Sequence, residues 1–329
     1  MDKHKPLLSV VVPIYNEGSH IVSSLKIIVE TVSQITSTYE LIVVDDGSKD
    51  DTWKHLDQAA KDMPGVIALR LSRNFGKEIA VCAGLENASG DAVIVMDGDL
   101  QHPPTLIPEM VRLWHEEGYE IVECVKETRG KEPIGKKIGA SVFYSMLDKL
   151  TGYDLKGASD FKLLDQKVLK AWMDMHERVP FFRGMTAWLG FRRVELPFNV
   201  AEREVGRSRW GVLSLIRLGA EAIVSFSTIP LRMVSLVGIG FFVISIVLAI
   251  QTLMQKIQGN AVTGFTTVIL LLLITGSILM ISIGIVGEYI AAIYHEVKAR
   301  PRYLISDKTI HSDLIGTDRE LKHDHTFVT

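Results

Sequence analysis

Four apolar, β-branched runs recur early in the chain, each closed by a polar break and then followed by apolar positions at helical spacing. They are Leu8 to Ile14, Tyr39 to Val44, Val66 to Leu71 and Ala92 to Met96, and each reads as a buried strand. Pro13 stands near the end of the first, where a missing N–H is tolerated. Helices are predicted through Ile21, Leu25, Ile28 and Val29 with Ser19 as N-cap, after Asp50-Asp51-Thr52, and across Ala80 to Ala88. Strand, loop and helix repeated in this way predict an α/β domain with a parallel sheet and right-handed crossovers.

Beyond these repeats the pattern becomes more varied. A helix is predicted over Leu106 to His115 with Pro104 in its first turn, then a strand over Tyr119 to Val125. Ala140 to Leu150 is amphipathic, and Asp160 to Leu164 reads as a short strand entering the site. Phe181 to Val194, which carries Trp188, reads as core with a strand at its end. Glu202 to Trp210 is a charged, flexible loop, and Val212 to Phe226 is an amphipathic segment suited to a membrane surface.

Two stretches then lack any charged residue, Met233 to Gln255 and Ile257 to Gly287. Both exceed the roughly 20 residues that cross a bilayer, so two membrane helices are expected, with Gly259 and Asn260 marking the hairpin. Arg217 and Arg232 before them, with Lys298, Arg300 and Arg302 after, outnumber the hairpin's lone Lys256, which places both ends in the cytoplasm. His311 to Thr329 is expected to be a polar, mobile tail.

Composition narrows the class. At 329 residues there is room for two domains, or for one domain and a membrane part, and a 47 % hydrophobic content is high for a purely soluble protein. A net charge of −3 argues against a generic nucleic-acid binder. Cys82 and Cys124 have apolar neighbours and no CxxC spacing, so they read as buried thiols in a reducing compartment. The polar N-terminus reads as lacking a cleavable signal peptide.

The chemistry concentrates where strands end. In parallel sheets ligands bind beyond the carboxyl ends of the strands, and here those ends carry Glu17, Asp45 with Asp46, Arg73 with Asn74, and Asp97 with Asp99. The run Val93 to Met96 stops abruptly at Asp97-Gly98-Asp99. Two carboxylates on one turn repel unless a cation sits between them, and hard oxygen donors suit Mg²⁺ or Mn²⁺. Gln101 adds a neutral oxygen two residues on. The bland alternative, an Asp-Gly surface turn, does not account for polar residues at every strand end. His102 and His115 read as structural or solvated, and Lys126 to Lys137 as a basic stretch suited to an anionic headgroup.

Together VVPIYNE, VVDDGSKDDT, LSRNFGKE, DGDLQHPP, AEREVGRSRW and IGIVGEY…EVKARPRY resemble family 2 glycosyltransferases of the polyprenyl-phosphate branch. That branch includes dolichol-phosphate mannose synthases and bacterial undecaprenyl-phosphate glucosyltransferases of O-antigen modification, and the resemblance runs from about Leu8 to Tyr303. It implies a GT-A catalytic domain, Rossmann-like with a mostly parallel sheet, in residues 1–210 on the cytoplasmic side. An interfacial helix over 211–229, a transmembrane hairpin over 230–292 and a cytoplasmic tail over 293–329 would follow, in a bacterial inner membrane. It also implies that Pro13, Tyr15, Glu17, Asp45 and Asp46 surround the nucleotide, with Asp46 reading the base. Asp97, Gly98 and Asp99 would meet the nucleotide-sugar, with Asp99 and Gln101 holding the metal and Arg203 and Arg209 closing over the phosphates. Lys126 stands where the family has an arginine, so Lys126, Arg129, Lys136 and Lys137 are the acceptor-phosphate candidates. Asp97, Asp99 and Asp160 are the catalytic candidates, Asp160 either contacting the sugar or bracing its loop.

The implied reaction is an inverting transfer of one sugar from a nucleotide donor, UDP-glucose or a related UDP-sugar before a GDP-sugar, to a polyprenyl phosphate. A processive polysaccharide synthase would carry a QxxRW motif and more membrane helices, whereas Gly206 stands where that glutamine belongs. A non-enzymatic nucleotide- or lipid-binding scaffold would not require the carboxylates, all of which are present. The amphipathic segments leave room for a homo-oligomer.

Overall fold

The computed structural model describes residues 6–18, 20–126, 159–175, 181–198, 229–258, 264–298 and 300–310. Two compact units result: the described residues up to 198 together with 300–310 form one, and 229–298 form the other.

The first unit is built on one sheet of eight strands. They are β1 (Leu8–Ile14), β2 (Tyr39–Asp45), β3 (Val66–Leu71), β4 (Ala92–Val95), β5 (Ile121–Lys126), β6 (Lys162–Asp165), β7 (Arg193–Phe198) and β8 (Ile305–Ile310). Their order is β7-β5-β6-β4-β1-β2-β3-β8. The β3-β2-β1-β4 block is parallel throughout, as the four repeats predict. β6 runs antiparallel between β4 and β5, β7 is parallel to β5, and β8 is antiparallel to β3. Every residue of β1 and β4 is buried, which is why both read as unbroken apolar runs instead of alternating ones.

Helices cover this sheet: α1 (Ile21–Ile35), α2 (Thr52–Asp62), α3 (Lys77–Glu86), α4 (Ile107–His115), α5 (Gln166–Met173) and α6 (Phe182–Trp188). In α1 the buried positions Ile21, Leu25, Ile28 and Val32 form one stripe at helical spacing and join the core of β1 and β2. A single 3₁₀ turn, Pro104–Leu106, leads into α4. The thiols of Cys82 and Cys124 are buried and unbridged, and burial pushes Cys124 up to about 12.

Three expectations change. The residue capping α1 is His20, with no side-chain cap, and Ser19 lies outside the described residues. Trp188 is not core: α6 buries Phe182 and Met185 and leaves Trp188 53 % exposed at its end. The tail expected from residue 293 is not tail throughout, because Ile305–Ile310 returns to the sheet as β8.

The second unit holds α7 (Ile229–Ile257) and α8 (Phe265–Val297). Within them Leu231–Leu248 and Ile274–Tyr294 are long and apolar enough to cross a membrane, and none of either span is buried in the protein. Ala140 to Leu150, Glu202 to Trp210, Val212 to Phe226, Gly259, Asn260 and His311 to Thr329 lie outside the described residues.

Candidate active site

Parallel strands deliver their following loops to one edge, and here the strands are stitched together close to it. Ile14 pairs with Asp45 in the ladder, Asp46 N–H donates to Ile14 O at 2.9 Å, and Met96 N–H donates to Val11 O at 3.1 Å. The loop after β1 docks on the loop after β2: Asn16 N–H donates to Ser48 Oγ and Glu17 N–H to Thr52 Oγ1, both at 2.9 Å. Pro13 therefore lies inside β1, while Tyr15, 39 % exposed, and Glu17 follow it at the edge.

Asp45 and Asp46 are both buried, and burial raises both carboxyls. Asp45 accepts the Ser48 N–H at 3.0 Å and faces Arg70 Nε at 3.6 Å. Asp46 accepts two backbone N–H groups from the loop after β3, Phe75 at 2.7 Å and Gly76 at 2.9 Å. In this geometry Asp46 holds a loop wall. The approach is close enough to demand glycine at 47, where φ is +64° and a Cβ would stand 2.4 Å from the Arg73 backbone.

The turn after β4 places Asp97, Gly98, Asp99, Leu100 and Gln101 at the same edge. Gly98 separates the carboxylates because a Cβ there would stand 2.8 Å from Ile14 Cγ2 on the neighbouring strand. Leu100 is held at φ +56°, a left-handed conformation that non-glycine residues rarely adopt outside constrained sites. Asp99 is exposed and accepts Gln101 N–H at 3.2 Å and Gln101 Nε2 at 2.6 Å, both within its own turn. Glu17 feels this cluster: burial raises its carboxyl, and the charges of Asp99, Asp50 and Asp97 add to the effect.

Asp97 turns the other way. Its Oδ1 meets the Lys77 ammonium at 2.7 Å, and the same ammonium meets Asp160 Oδ2 at 2.6 Å. Asp160 is buried and grips Arg183 with both oxygens, at 2.6 and 2.9 Å. Burial alone would raise Asp160, but Arg183 and Lys77 outweigh it and hold the carboxyl well below the usual range. Burial would likewise lower Lys77, but Asp97 and Asp160 hold it above its ordinary value. With both oxygens engaged, Asp160 is placed to brace rather than to reach a substrate. Lys77 keeps 44 % of its side-chain surface accessible.

Behind this lies a second buried pair, Lys162 with Glu123 at 3.1 Å, with Lys162 also donating to Thr186 Oγ1 at 2.9 Å on α6. His102, read as structural or solvated, is buried, stacks on Phe161 at 5.2 Å and accepts Asp97 N–H on Nδ1 at 3.1 Å.

Asp99 and Gln101 fit a divalent cation: an exposed carboxylate and an amide oxygen are hard donors beside an edge already crowded with negative charge. Among the described residues no three His, Cys, Asp or Glu side chains gather round one point. Arg129, Lys136, Lys137, Arg203 and Arg209 lie outside the described residues, and Lys126 is described only as the last residue of β5, paired with Phe198. Sequence reading passed over Lys77, Arg183 and Arg70. Lys77 was visible as the second-last residue of LSRNFGKE, directly after its glycine, and Arg183 as a charge inside an apolar stretch.

The family model described as glycosyl transferase family 2 matches residues 9–171, and that described as GtrB C-terminal hairpin matches residues 229–293. The uncharacterized glycosyltransferase sll0501 of Synechocystis sp. is 37 % identical over 302 residues, covering 91 % of this chain and 95 % of its own. The putative glycosyltransferase CsbB of Bacillus subtilis is 36 % identical over 318 residues, 96 % of each chain. The SfII prophage-derived bactoprenol glucosyl transferase of Shigella flexneri is 35 % identical over 300 residues, 91 % of this chain and 97 % of its own. Among solved structures, glucosyl-3-phosphoglycerate synthase of Mycobacterium tuberculosis with Mn²⁺, uridine diphosphate and phosphoglyceric acid aligns with a TM-score of 0.46 at 22 % identity, covering 67 % of this chain and 76 % of that one.

Proposed function

We propose a reaction for this chain, which belongs to glycosyl transferase family 2 and carries the GtrB-type C-terminal hairpin: it transfers one sugar from UDP-glucose or a related UDP-sugar to a polyprenyl phosphate, with inversion. The observation that carries it is the cluster of Glu17, Asp97 and Asp99 at the carboxyl edge of β1 and β4, whose negative charge is met by a salt bridge among the described residues at Asp97 and not at Asp99. The name of the bactoprenol glucosyl transferase relative supports the acceptor class.

In this reading the loops after β1, β2 and β3 hold the nucleotide, with Tyr15 exposed beside it and the Asp46-anchored loop as a wall. Asp99 and Gln101 would hold Mg²⁺ or Mn²⁺, and a divalent ion bound there would offset the charge that develops on the leaving diphosphate. Arg203 and Arg209 add positive charge there. Lys77, fixed between Asp97 and Asp160, lends its accessible ammonium to the sugar-phosphate side. An acceptor phosphate oxygen attacks the anomeric carbon from the face opposite the leaving diphosphate, so the C1–O bond to the donor breaks as the new one forms. A phosphate is already ionised near neutral pH, so no general base is required, in keeping with a buried His102. Lys126, Arg129, Lys136 and Lys137 are the acceptor-phosphate candidates. The two long apolar helices anchor the enzyme in the bacterial inner membrane with its catalytic unit cytoplasmic, beside the lipid acceptor.

The test is transfer of label from a panel of UDP- and GDP-sugars to undecaprenyl phosphate in detergent, with Mg²⁺, with Mn²⁺ and with chelator. A lipid product carrying one sugar, lost on chelation, is the expected result. Absence of lipid product with every donor overturns the acceptor, and a growing polymer overturns single transfer.

A further inference from the structure

Residues 300–310 come after both apolar helices in the chain, yet they build into the sheet beside β3. The triplet Arg302-Tyr303-Leu304 touches both ends of one unit, the loop after β3 and the helix α3 that follows it. At the loop's start, Leu304 O accepts Ser72 N–H at 2.8 Å. At the far end Glu86, the last residue of α3, takes Arg302 Nη1 at 3.1 Å and the Tyr303 hydroxyl at 2.6 Å. Burial, and then the charge of Glu86, raise the Tyr303 hydroxyl, so it stays protonated and donates. Arg302 is only 12 % exposed in this pair.

Between those two ends lies the wall of the proposed donor site. Phe75 and Gly76 sit on Asp46, Arg73 lies against Gly47, and Lys77 meets Asp97 and Asp160. A loop without regular structure that was held only at its tip would pivot about Asp46. Held also where it begins and where its helix ends, it has one position relative to the strand-end carboxylates. A second contact acts in the same sense: Ser306 Oγ donates to Arg70 O at 3.3 Å, and Arg70 faces Asp45.

We propose that Glu86, Arg302 and Tyr303 are positioning residues for donor binding, a clamp by which the C-terminal segment fixes the 72–77 loop at the nucleotide site. The proposal rests on the donor-site reading above. It makes the catalytic unit discontinuous in sequence, so a chain cut after the hairpin would lack part of its donor site.

The experiment uses full-length protein in detergent, with UDP and GDP titrated separately in Mg²⁺ by calorimetry and thermal unfolding followed alongside. Tyr303→Phe removes one hydroxyl, Glu86→Gln weakens both contacts, and Arg302→Lys preserves the charge. Thr309→Val serves as control, because its hydroxyl bonds Asp57 on α2, away from the loop. Losing charge-assisted hydrogen bonds at Glu86 is expected to raise the Kd of the nucleotide that wild type binds by about tenfold. Tyr303→Phe should raise it less, Arg302→Lys should stay closer to wild type, and Thr309→Val should leave it unchanged. The Michaelis constant for the lipid acceptor should not move. Unchanged nucleotide affinity in Tyr303→Phe and Glu86→Gln overturns the proposal, as does an equal weakening in Thr309→Val that follows the melting temperature. If wild type binds neither nucleotide, the donor-site reading falls and the clamp falls with it.

Discussion

Two charged corners meet at the carboxyl edge of the sheet, and they are built on opposite terms. Around Asp160 the charges are paired: Lys77 and Arg183 hold the carboxylate, and behind them Lys162 faces Glu123. Around Asp99, among the described residues, the carboxylate meets the amide groups of Gln101, with Glu17 close enough to feel its charge. Burying a charge is costly unless it is paired, so the first corner is what a chain arranges in order to fold. The second is partly exposed and left negative, which a chain can sustain only where solvent or a cationic ligand completes it. Asp97 joins the two, facing Lys77 on one side and sharing a turn with Asp99 on the other.

The sharpest way to break this comparison is Asp99→Asn. In the unfinished corner the substitution removes a charge that no cation among the described residues balances, so folding should be unaffected while transfer falls by roughly 10²–10³-fold, the scale of losing one group that stabilises transition-state charge. Initial rates at saturating donor, beside a melting curve, check both halves. Wild-type rates in a folded variant would remove Asp99 from the site.

The finished corner should answer in stability. Lys162→Met leaves Glu123 buried without its cation, and breaking such a pair costs about 3–5 kcal/mol. The double variant Glu123→Gln, Lys162→Met should recover most of that loss, because no charge is then stranded. A single variant as stable as wild type would show that the pair holds nothing. The pH dependence sharpens the same point at Asp160. Its carboxyl is held below the usual range, so the native state stays ionised while the unfolded chain takes up a proton below about pH 4. Its contribution is therefore complete above that pH and lost progressively below it. The gap in melting temperature between wild type and Asp160→Asn should narrow as pH falls from about 6 to about 3, and a constant gap would contradict the assigned ionisation.

The same contrast explains what was legible in the sequence. β1, β2 and β4 are buried nearly end to end, so their apolar runs announced themselves, and the Asp97-Gly98-Asp99 break stood out because it interrupts one. The unfinished corner is largely local: Asp99 and Gln101 share a turn. The finished corner is not. Lys77 and Asp160 are 83 positions apart, and Tyr303 and Glu86 217 apart, so spacing carried no sign that they meet. β8 was missed for a related reason. Its sequence, ISDKTI, is short and largely polar, and only its pairing with β3 makes it a strand. Trp188 was misassigned because hydrophobicity was taken for burial, whereas α6 turns Phe182 and Met185 inward instead.

The smallest effect is expected where the two corners touch a titratable ring. His102 lies beside Asp97, whose N–H it accepts, so an acid–base role at the Asp97-Gly98-Asp99 turn would fall to it. Its surroundings argue for structure: the ring is buried, stacked on Phe161 with Phe198 at its edge, and its Nδ1 is occupied by the Asp97 N–H. His102→Gln keeps an acceptor near that N–H while losing the stacked ring, so the cost should be confined to about 1–2 kcal/mol of stability, near the upper end for one hydrogen bond with its packing. The transfer rate should stay within about an order of magnitude of wild type, since general acid–base catalysis is worth more than that when it operates. The pH–rate profile should keep its shape through the range in which imidazoles titrate. Loss of a limb in that range would give His102 a proton to move, and a transfer to an ionised phosphate has none to offer it.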